Sequence, residues 1–305
     1  MFVMNDAFLD GRVATRSPFA APWRNICVLH HPHKADAALL ASEIGDWLTM
    51  QGLYEVCHSS SWEPDTLSPR LPHVDVIVAI GGDGTMLRAG RSGAAWGVPV
   101  LGINMGKVGF LSEVQPDQWR PAIEAMLAWN CWLEERLMIS VRVDRKDPST
   151  GGLQTVHTFA ALNDAVISRG SLARVIETRI RLDGENLAAI TCDGLIVATP
   201  TGSTGYALAA GGPILPPELR NIVIVPVAPH LSLNRPLVLS EGTEVRVRAT
   251  WDYEAMLTVD GHFHLDMEEG DEVTVVASEH PARYVRTGSR QNFYQTLVGK
   301  LGTTY

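Results

Sequence analysis

Positive charge is scarce in this chain: 25 Lys and Arg stand against 34 Asp and Glu in 305 residues, a formal net charge of −9. Such a balance argues against binding nucleic acid or an anionic membrane through bulk positive charge, and leaves room only for a local basic pocket. Cysteine is sparse too. Cys27, Cys57, Cys131 and Cys192 are scattered, with no CxxC pair and no metal-ligand spacing, which points to free thiols in a reducing compartment rather than a disulfide frame. No charge-free apolar run is long enough for a membrane helix. The N-terminus, MFVMNDAFLDGRVATRSPFAAPW, carries early acidic residues and no continuous apolar core, so it does not read as a signal peptide. These absences together predict a soluble, cytoplasmic protein without nucleic-acid or membrane partners, its first 22 residues a loose tail.

What is present is apolar residues, at 46%, enough for a proper core in one large or two ordinary domains. NICVLH (Asn25 to His30) reads as a buried strand, and Leu40, Ile44 and Leu48 then recur at helical spacing before Gly52. His30, His31 and His33 beside Pro32 read as the loop between them rather than as metal ligands. A second apolar run, Asp75 to Ile80, ends in GGDGT, after which Thr85 to Ala95 is expected to be helical; a third covers Val98 to Ile103. This alternation predicts a parallel sheet covered by helices. Beyond about Glu135 the pattern becomes alternating, as in ISVRVD, VIETRIRLDG and EVRVRAT, so this half is expected to be β-rich. Phe293, Leu297 and Leu301 return to helical spacing, which suggests a last helix that packs back on the first domain. The expected division is a tail over 1–22, an α/β domain over 23–130 with 288–305, and a β-rich domain over 131–287.

Three loops are candidates to carry the chemistry, the alternative for GGDGT and GSTG being an ordinary turn and for Tyr206 a place in the core. GGDGT lies where ligands bind in open parallel sheets, at the carboxyl end of a strand. Its glycines let phosphate oxygens approach the backbone, the next helix favours negative charge, and Asp83 can accept a hydroxyl proton or orient a metal-bound phosphate. LGINMGKVGFL (Leu101 to Leu111) forms a second glycine-rich loop at the same sheet edge, where Gly106 and Gly109 serve either close packing or ligand contact. DGLIVATPTGSTGYALAAGGPI (Asp193 to Ile214) combines an acid, a short strand and small hydroxyl residues that can approach a nucleotide, with Tyr206 offering a face for a base or ribose. Asn163 and Asp164 interrupt an apolar stretch and must find polar partners or cap a turn. Asp260, Gly261 and His262 read as a hairpin turn, for which structure is the better explanation, His262 being the one reason to consider a site there.

In this order, GGDGT, LGIN-G-GFL, Asn163-Asp164, DGLIVATPTGST-Y, AGGPI, PHLSLNRP (229 to 236) and Asp260-Gly261 resemble the NAD kinase family, over most of the chain from about Asn25. The resemblance implies a Rossmann-like N-terminal domain joined by the last helix, and a β-rich domain, with NAD bound between them or across a subunit contact of a homodimer or homotetramer. It implies transfer of the γ-phosphoryl of ATP, or of polyphosphate, to the 2′-hydroxyl of the adenosine ribose of NAD, with Mg²⁺ or another divalent cation. Carried over by position, Asp83 is the general base and Gly84 lies beside the nicotinamide nucleotide and phosphates; apart from the carry-over, Arg88, one turn into the helix after the loop, and Lys107 are candidate phosphate neighbours, a solvated helix face being the alternative for Arg88. Asn163 and Asp164 contact NAD, with Arg174 and His262 as further cofactor-binding candidates; Asp193 lies toward the nicotinamide, and Thr204, Gly205, Tyr206, Ala207, Leu208 and Ala209 line the adenosine.

The chain departs from the family pattern in places. Family members commonly read TAYSLS where this chain has TGYALA, so a hydroxyl expected at Ala209 is absent, and Asp164 stands where Glu is commoner. Thr191 stands where an arginine accompanies preference for NAD over NADH, which implies use of NADH as well. Two other classes share parts of the pattern: a lipid or sugar kinase of the GGDG type, and a dinucleotide sensor that has lost transfer.

Overall fold

The computed structural model of the chain describes residues 23–52, 55–60, 70–106, 109–147, 149–170, 175–230, 234–252, 254–289 and 292–302. The expected tail over 1–22 and the candidates Lys107 and Arg174 lie outside the described residues. The chain divides into two compact units, one spanning Arg136–Glu279 and the other formed by the residues before and after it.

The outer unit begins with β1 (Asn25–His30), α1 (Ala35–Met50), β2 (Glu55–Ser60), β3 (Val76–Gly81), α2 (Asp83–Ala94), β4 (Val100–Asn104), α3 (Trp119–Leu127) and β5 (Trp132–Arg136). The first four strands pair in parallel. A parallel sheet is covered on both faces, so its strands must be apolar throughout rather than alternating. VIVAIG of β3 and VLGIN of β4 are buried at every position. Ala37, Ala41, Ile44 and Leu48 form the buried stripe of α1 and share a core with Val28, Val78, Ile80 and Leu101. Burying each large aliphatic side chain is worth about 1.5–3 kcal/mol, which fixes the face that α1 turns to the sheet.

Helix α2 starts at Asp83, capped by Gly82, two residues before the Thr85 start that the spacing predicts. The early start has an electrostatic reason: it puts a carboxylate in the first turn, at the positive end of the helix dipole.

The β-rich unit contains β6 (Ile139–Lys146), β7 (Leu153–Ala161), β8 (Asp164–Arg169), β9 (Ile176–Leu182), β10 (Glu185–Cys192) and β11 (Gly194–Ala198). A one-turn helix, α4 (Tyr206–Ala209), precedes β12 (Asn221–Val227), β13 (Leu237–Ser240), β14 (Val245–Thr250), β15 (Ala255–Val259), β16 (Phe263–Asp266) and β17 (Glu272–Ala277). They form two antiparallel sheets, in the orders β10-β9-β14-β17-β6-β7 and β13-β12-β11-β8-β15-β16. Period-two alternation turns every second side chain inward. Val141 and Val143 of β6 and Val245 and Val247 of β14 thus meet Leu195 and Val197 of β11 and Ile222 and Ile224 of β12 in one core. The other face of the second sheet carries a smaller cluster, where Val166, Ile196, Val223 and Val225 pack with Ala207 of α4.

The chain then returns to the first sheet as β18 (Ala282–Arg286), inserted between β4 and β5 in the order β2-β1-β3-β4-β18-β5, and ends in α5 (Asn292–Leu301). Tyr284 of β18 is fully buried and donates its hydroxyl to the carbonyl of Met86 in α2 at 3.0 Å. Phe293 of α5 packs 6.0 Å from Phe110, so the last helix does rest on the outer unit.

Candidate functional site

The expected residues gather in two clusters, one in each unit. In the outer unit, the Asp83 carboxylate accepts the N–H of Phe110 on Oδ2 at 3.1 Å and the N–H of Leu111 on Oδ1 at 3.3 Å. The two glycine-rich loops are thereby joined through one acid. The fit is close at Gly109, where a Cβ would lie 1.7 Å from Asp83 Oδ1, whereas a Cβ at Gly106 would meet nothing within 4 Å. Of the two roles open to these glycines, Gly109 has the close approach and Gly106 does not. Gly84 is likewise open, with nothing within 4 Å of its Cβ direction. Lys300 of α5 reaches Asp83 Oδ2 at 3.3 Å.

Arg88 lies one turn further along α2, half-buried; burial, then the neighbouring Arg91, lowers its guanidinium pKa. Its charge is felt by His31 in the β1–α1 turn, whose pKa is lowered first by burial and then by Lys34, His33, Arg88 and His30. Among the described residues, no group of three or more His, Cys, Asp or Glu side chains could hold a metal ion.

In the β-rich unit, Asn163 and Asp164 lie at the junction of β7 and β8, held from two sides. Asp260 accepts the N–H groups of Leu162, Asn163 and Asp164 at 3.1, 2.7 and 3.3 Å, and returns its own N–H to the Asp164 carbonyl at 2.9 Å. On the other side Thr199 donates its hydroxyl to the Leu162 carbonyl at 2.5 Å and its N–H to the Asn163 carbonyl at 2.9 Å. Gly202 packs on the same backbone, where a Cβ would stand 2.2 Å from the Asn163 carbonyl oxygen. Ser203 donates to the Pro200 carbonyl at 2.6 Å and accepts the N–H of Leu215 at 3.0 Å, closing the TPTGST loop on itself. The Asp164 side chain is buried, and that burial, with the like charge of Asp260, pushes its carboxyl pKa up to about 7.

Other expected residues are spread more widely. Thr204 donates to the Thr201 carbonyl at 3.1 Å, Gly205, Tyr206 and Ala209 are exposed, and Leu208 is half-buried. The Ala207 methyl is fully buried in the small apolar cluster, and its carbonyl accepts the N–H of Gly212 at 2.8 Å. His262 donates its N–H to the Val259 carbonyl at 3.0 Å and turns its ring to Phe263. Asp193 precedes β11, at the opposite end of that strand from the TPTGST loop and about 20 Å of extended chain from Thr199, and pairs with Arg169 at 3.0 Å. The structure therefore joins Asn163, Asp164 and the loop but not Asp193.

Three participants were not legible in these roles from sequence. Asp260, read as a turn residue and as part of the Asp260-Gly261 motif, anchors the Asn163-Asp164 backbone. Lys300 is one charge on a short terminal helix. Arg286, buried on β18, pairs with Glu134 and donates from Nη1 to the Leu111 carbonyl at 2.8 Å, bracing the loop that holds Asp83. Only the seven-residue interval between Phe293 and Lys300, which puts them on one helix face, hinted at the second.

The model of the ATP-NAD kinase N-terminal domain matches residues 46–130, and that of the ATP-NAD kinase C-terminal domain matches residues 162–287. The chain is 40% identical over 230 residues to the NAD kinase of Natranaerobius thermophilus, covering 74% of this chain and 77% of that protein. It is 33% identical over 279 residues to the NAD kinase of Dehalococcoides mccartyi, covering 92% and 96%. Among solved structures, yeast NADH kinase complexed with NADH superposes with a TM-score of 0.77 at 22% identity, over 94% of this chain and 90% of that one. An NAD kinase from Archaeoglobus fulgidus in complex with ATP gives a TM-score of 0.70 at 28% identity, over 92% and 100%. With both family domains matched in order around the acid and loops just described, the chain belongs to the NAD kinase family of phosphotransferases.

Proposed function

We propose that the chain transfers the γ-phosphoryl group of ATP to the 2′-hydroxyl of the adenosine ribose of NAD, with Asp83 as general base. The observation that carries this reading is the orientation of the Asp83 carboxylate, pinned at the start of α2 by the Phe110 and Leu111 N–H groups. A ribose hydroxyl is a weak nucleophile until it is oriented and its proton has an acceptor. In this reading the proton passes to Asp83, the hydroxyl oxygen bonds to the γ-phosphorus, and the bond to the β,γ-bridging oxygen breaks with its electron pair leaving on ADP. The N-terminus of α2 and the bare backbone of Gly82 favour the phosphates, with Gly84 beside the nucleotide and Arg88 one turn away.

Recognition of NAD falls to Asn163, Asp164 and the Thr204 to Ala209 segment, with His262 at the neighbouring turn and Asp193 toward the nicotinamide. For Ala207 this leaves backbone contact, since its methyl is buried. That the Archaeoglobus fulgidus relative was solved with ATP supports ATP as donor. In this reading a divalent cation arrives on the triphosphate, Mg²⁺ being held in such sites largely by substrate oxygens and neutralising their charge. The reading includes a cytoplasmic homodimer or homotetramer.

The test is NADP formation by the purified protein from NAD, ATP and Mg²⁺, read through an NADP-specific dehydrogenase, beside Asp83→Asn. Wild type should turn over, and the variant should lose about 10²–10⁴-fold in kcat with an unchanged melting temperature. Near-wild-type turnover in Asp83→Asn would remove the base from Asp83. NAD binding without ATP consumption would make the chain a sensor, and activity on a lipid or sugar without competition by NAD would make it another kinase.

A further inference from the structure

We propose that Lys300 is a donor-binding residue of the transfer site: its ammonium, paired with the Asp83 carboxylate, exchanges that partner for an oxygen of the terminal phosphate when ATP binds. The inference rests on the reading of Asp83 given above.

Lys300 and Asp83 are 217 positions apart in sequence, yet Nζ lies 3.3 Å from Oδ2. The ammonium is guided there. It sits 4.5 Å from the centre of the Phe110 ring, and the N–H of Phe110 donates to the same Oδ2. Phe110 also packs on Phe293, seven residues before Lys300 on the same face of α5. The helix is thus docked at both of its ends on the loop that orients Asp83, with its one last-turn cation directed at the acid.

This arrangement fills Oδ2, whose two acceptor positions are taken by the Phe110 N–H and the Lys300 ammonium. If the ammonium leaves, Oδ2 is free to accept from a hydroxyl. The incoming triphosphate supplies the reason to leave, because it brings several negative charges to a site where the pair with Asp83 is more than a third exposed at both side chains and correspondingly weak. Lysine suits the exchange, being a point charge with three donors on a flexible stem that changes partner without moving the helix. At the phosphate it neutralises charge on the oxygens of the group in transfer, where most catalysis of this reaction class arises. No bond to Lys300 forms or breaks.

The full-length Lys300→Met variant keeps the stem over Phe110 and removes the charge, and Lys300→Arg keeps the charge. We expect Lys300→Met to lower kcat/KM for ATP at least tenfold and to weaken ATP binding, measured calorimetrically, by a similar factor. The KM for NAD should stay within twofold of wild type and the melting temperature should not move. Lys300→Arg should recover most of the loss. Equal losses for both substrates with a lower melting temperature, or no change in any constant, would overturn the proposal and leave Lys300 as a docking contact. Measuring ATP binding in the Asp83→Asn background keeps the two readings apart. Normal ATP affinity in Lys300→Met with an inactive Asp83→Asn removes the donor contact alone, whereas weakened affinity with an active Asp83→Asn removes the base alone.

Discussion

Arg286 and Glu134 form an ion pair inside the parallel sheet, each only 7% exposed at the side chain, and the same guanidinium holds the Leu111 carbonyl at 2.8 Å. Leu111 in turn donates its N–H to Asp83. A pair on adjacent strands thus sets the backbone that aims the acid, and Glu113 adds a second brace by accepting the N–H groups of Thr287 and Gly288 at 2.7 and 3.0 Å.

Removing one member of a buried pair leaves the other charge without compensation. Arg286→Met should therefore cost about 3–5 kcal/mol in denaturant unfolding. Combining it with Glu134→Gln should recover a substantial part. Additive losses in this double-mutant cycle would show that the pair is not coupled.

Gly109→Ala should displace the Asp83 carboxylate, since the added carbon falls 1.7 Å from Oδ1. Misplacing a reacting group by about an ångström costs on the order of 10²-fold, which is the drop expected in kcat. Gly106→Ala should melt with wild type, because its added carbon meets nothing within 4 Å. Equal kinetics for Gly109→Ala and wild type would mean that the carboxylate need not sit where it is held.

The Asp164 carboxyl, pushed up to about 7 from 3.8, gives stability a pH dependence of definite sign. Between about pH 4 and pH 7 the folded chain keeps a proton that the unfolded chain has lost. This contribution is fully present below the unfolded pKa and is lost as pH rises through the folded one, a fall of up to about 4 kcal/mol. Asp164→Asn should flatten that part of the profile. An unchanged slope between pH 4 and pH 7 in chemical unfolding would refute the assignment.

Asp260→Ala should destabilise by about 1–3 kcal/mol, because three N–H groups at the β7–β8 junction lose their acceptor. Asp260→Asn should cost less. It keeps an acceptor and tolerates the φ of 51° that residue 260 adopts in its turn, and by removing the like charge it should bring the Asp164 pKa down. Equal losses in the two variants would separate the carboxamide from the hydrogen-bonding role.

Much of the fold was legible in the chain itself. NICVLH and VIVAIG read as strands buried on both faces, ISVRVD and EVRVRAT as strands buried on one, and they occur as such within a residue or two. Asp83 stood out as a candidate in sequence because glycines surround it. The start of α2 was misplaced by two residues because propensity counts glycine against a helix, while the loop-to-helix junction needs bare backbone where it begins. Gly106 and Gly109 were inseparable in sequence and differ only in what lies across from them.

By itself, then, the sequence determined what is local: which runs are apolar with period two or throughout, where the chain turns, and that an acid sits among glycines at the end of a strand. Tertiary structure alone decided the partners of that acid and of Asn163-Asp164. Lys300 reaches Asp83 across 217 positions, Arg286 meets Glu134 across 152, and Asp260 meets Asn163 across 97. Pattern reports burial and local conformation, but contacts of this span exist only once β18 has entered the sheet between β4 and β5, and once β15 has paired with β8.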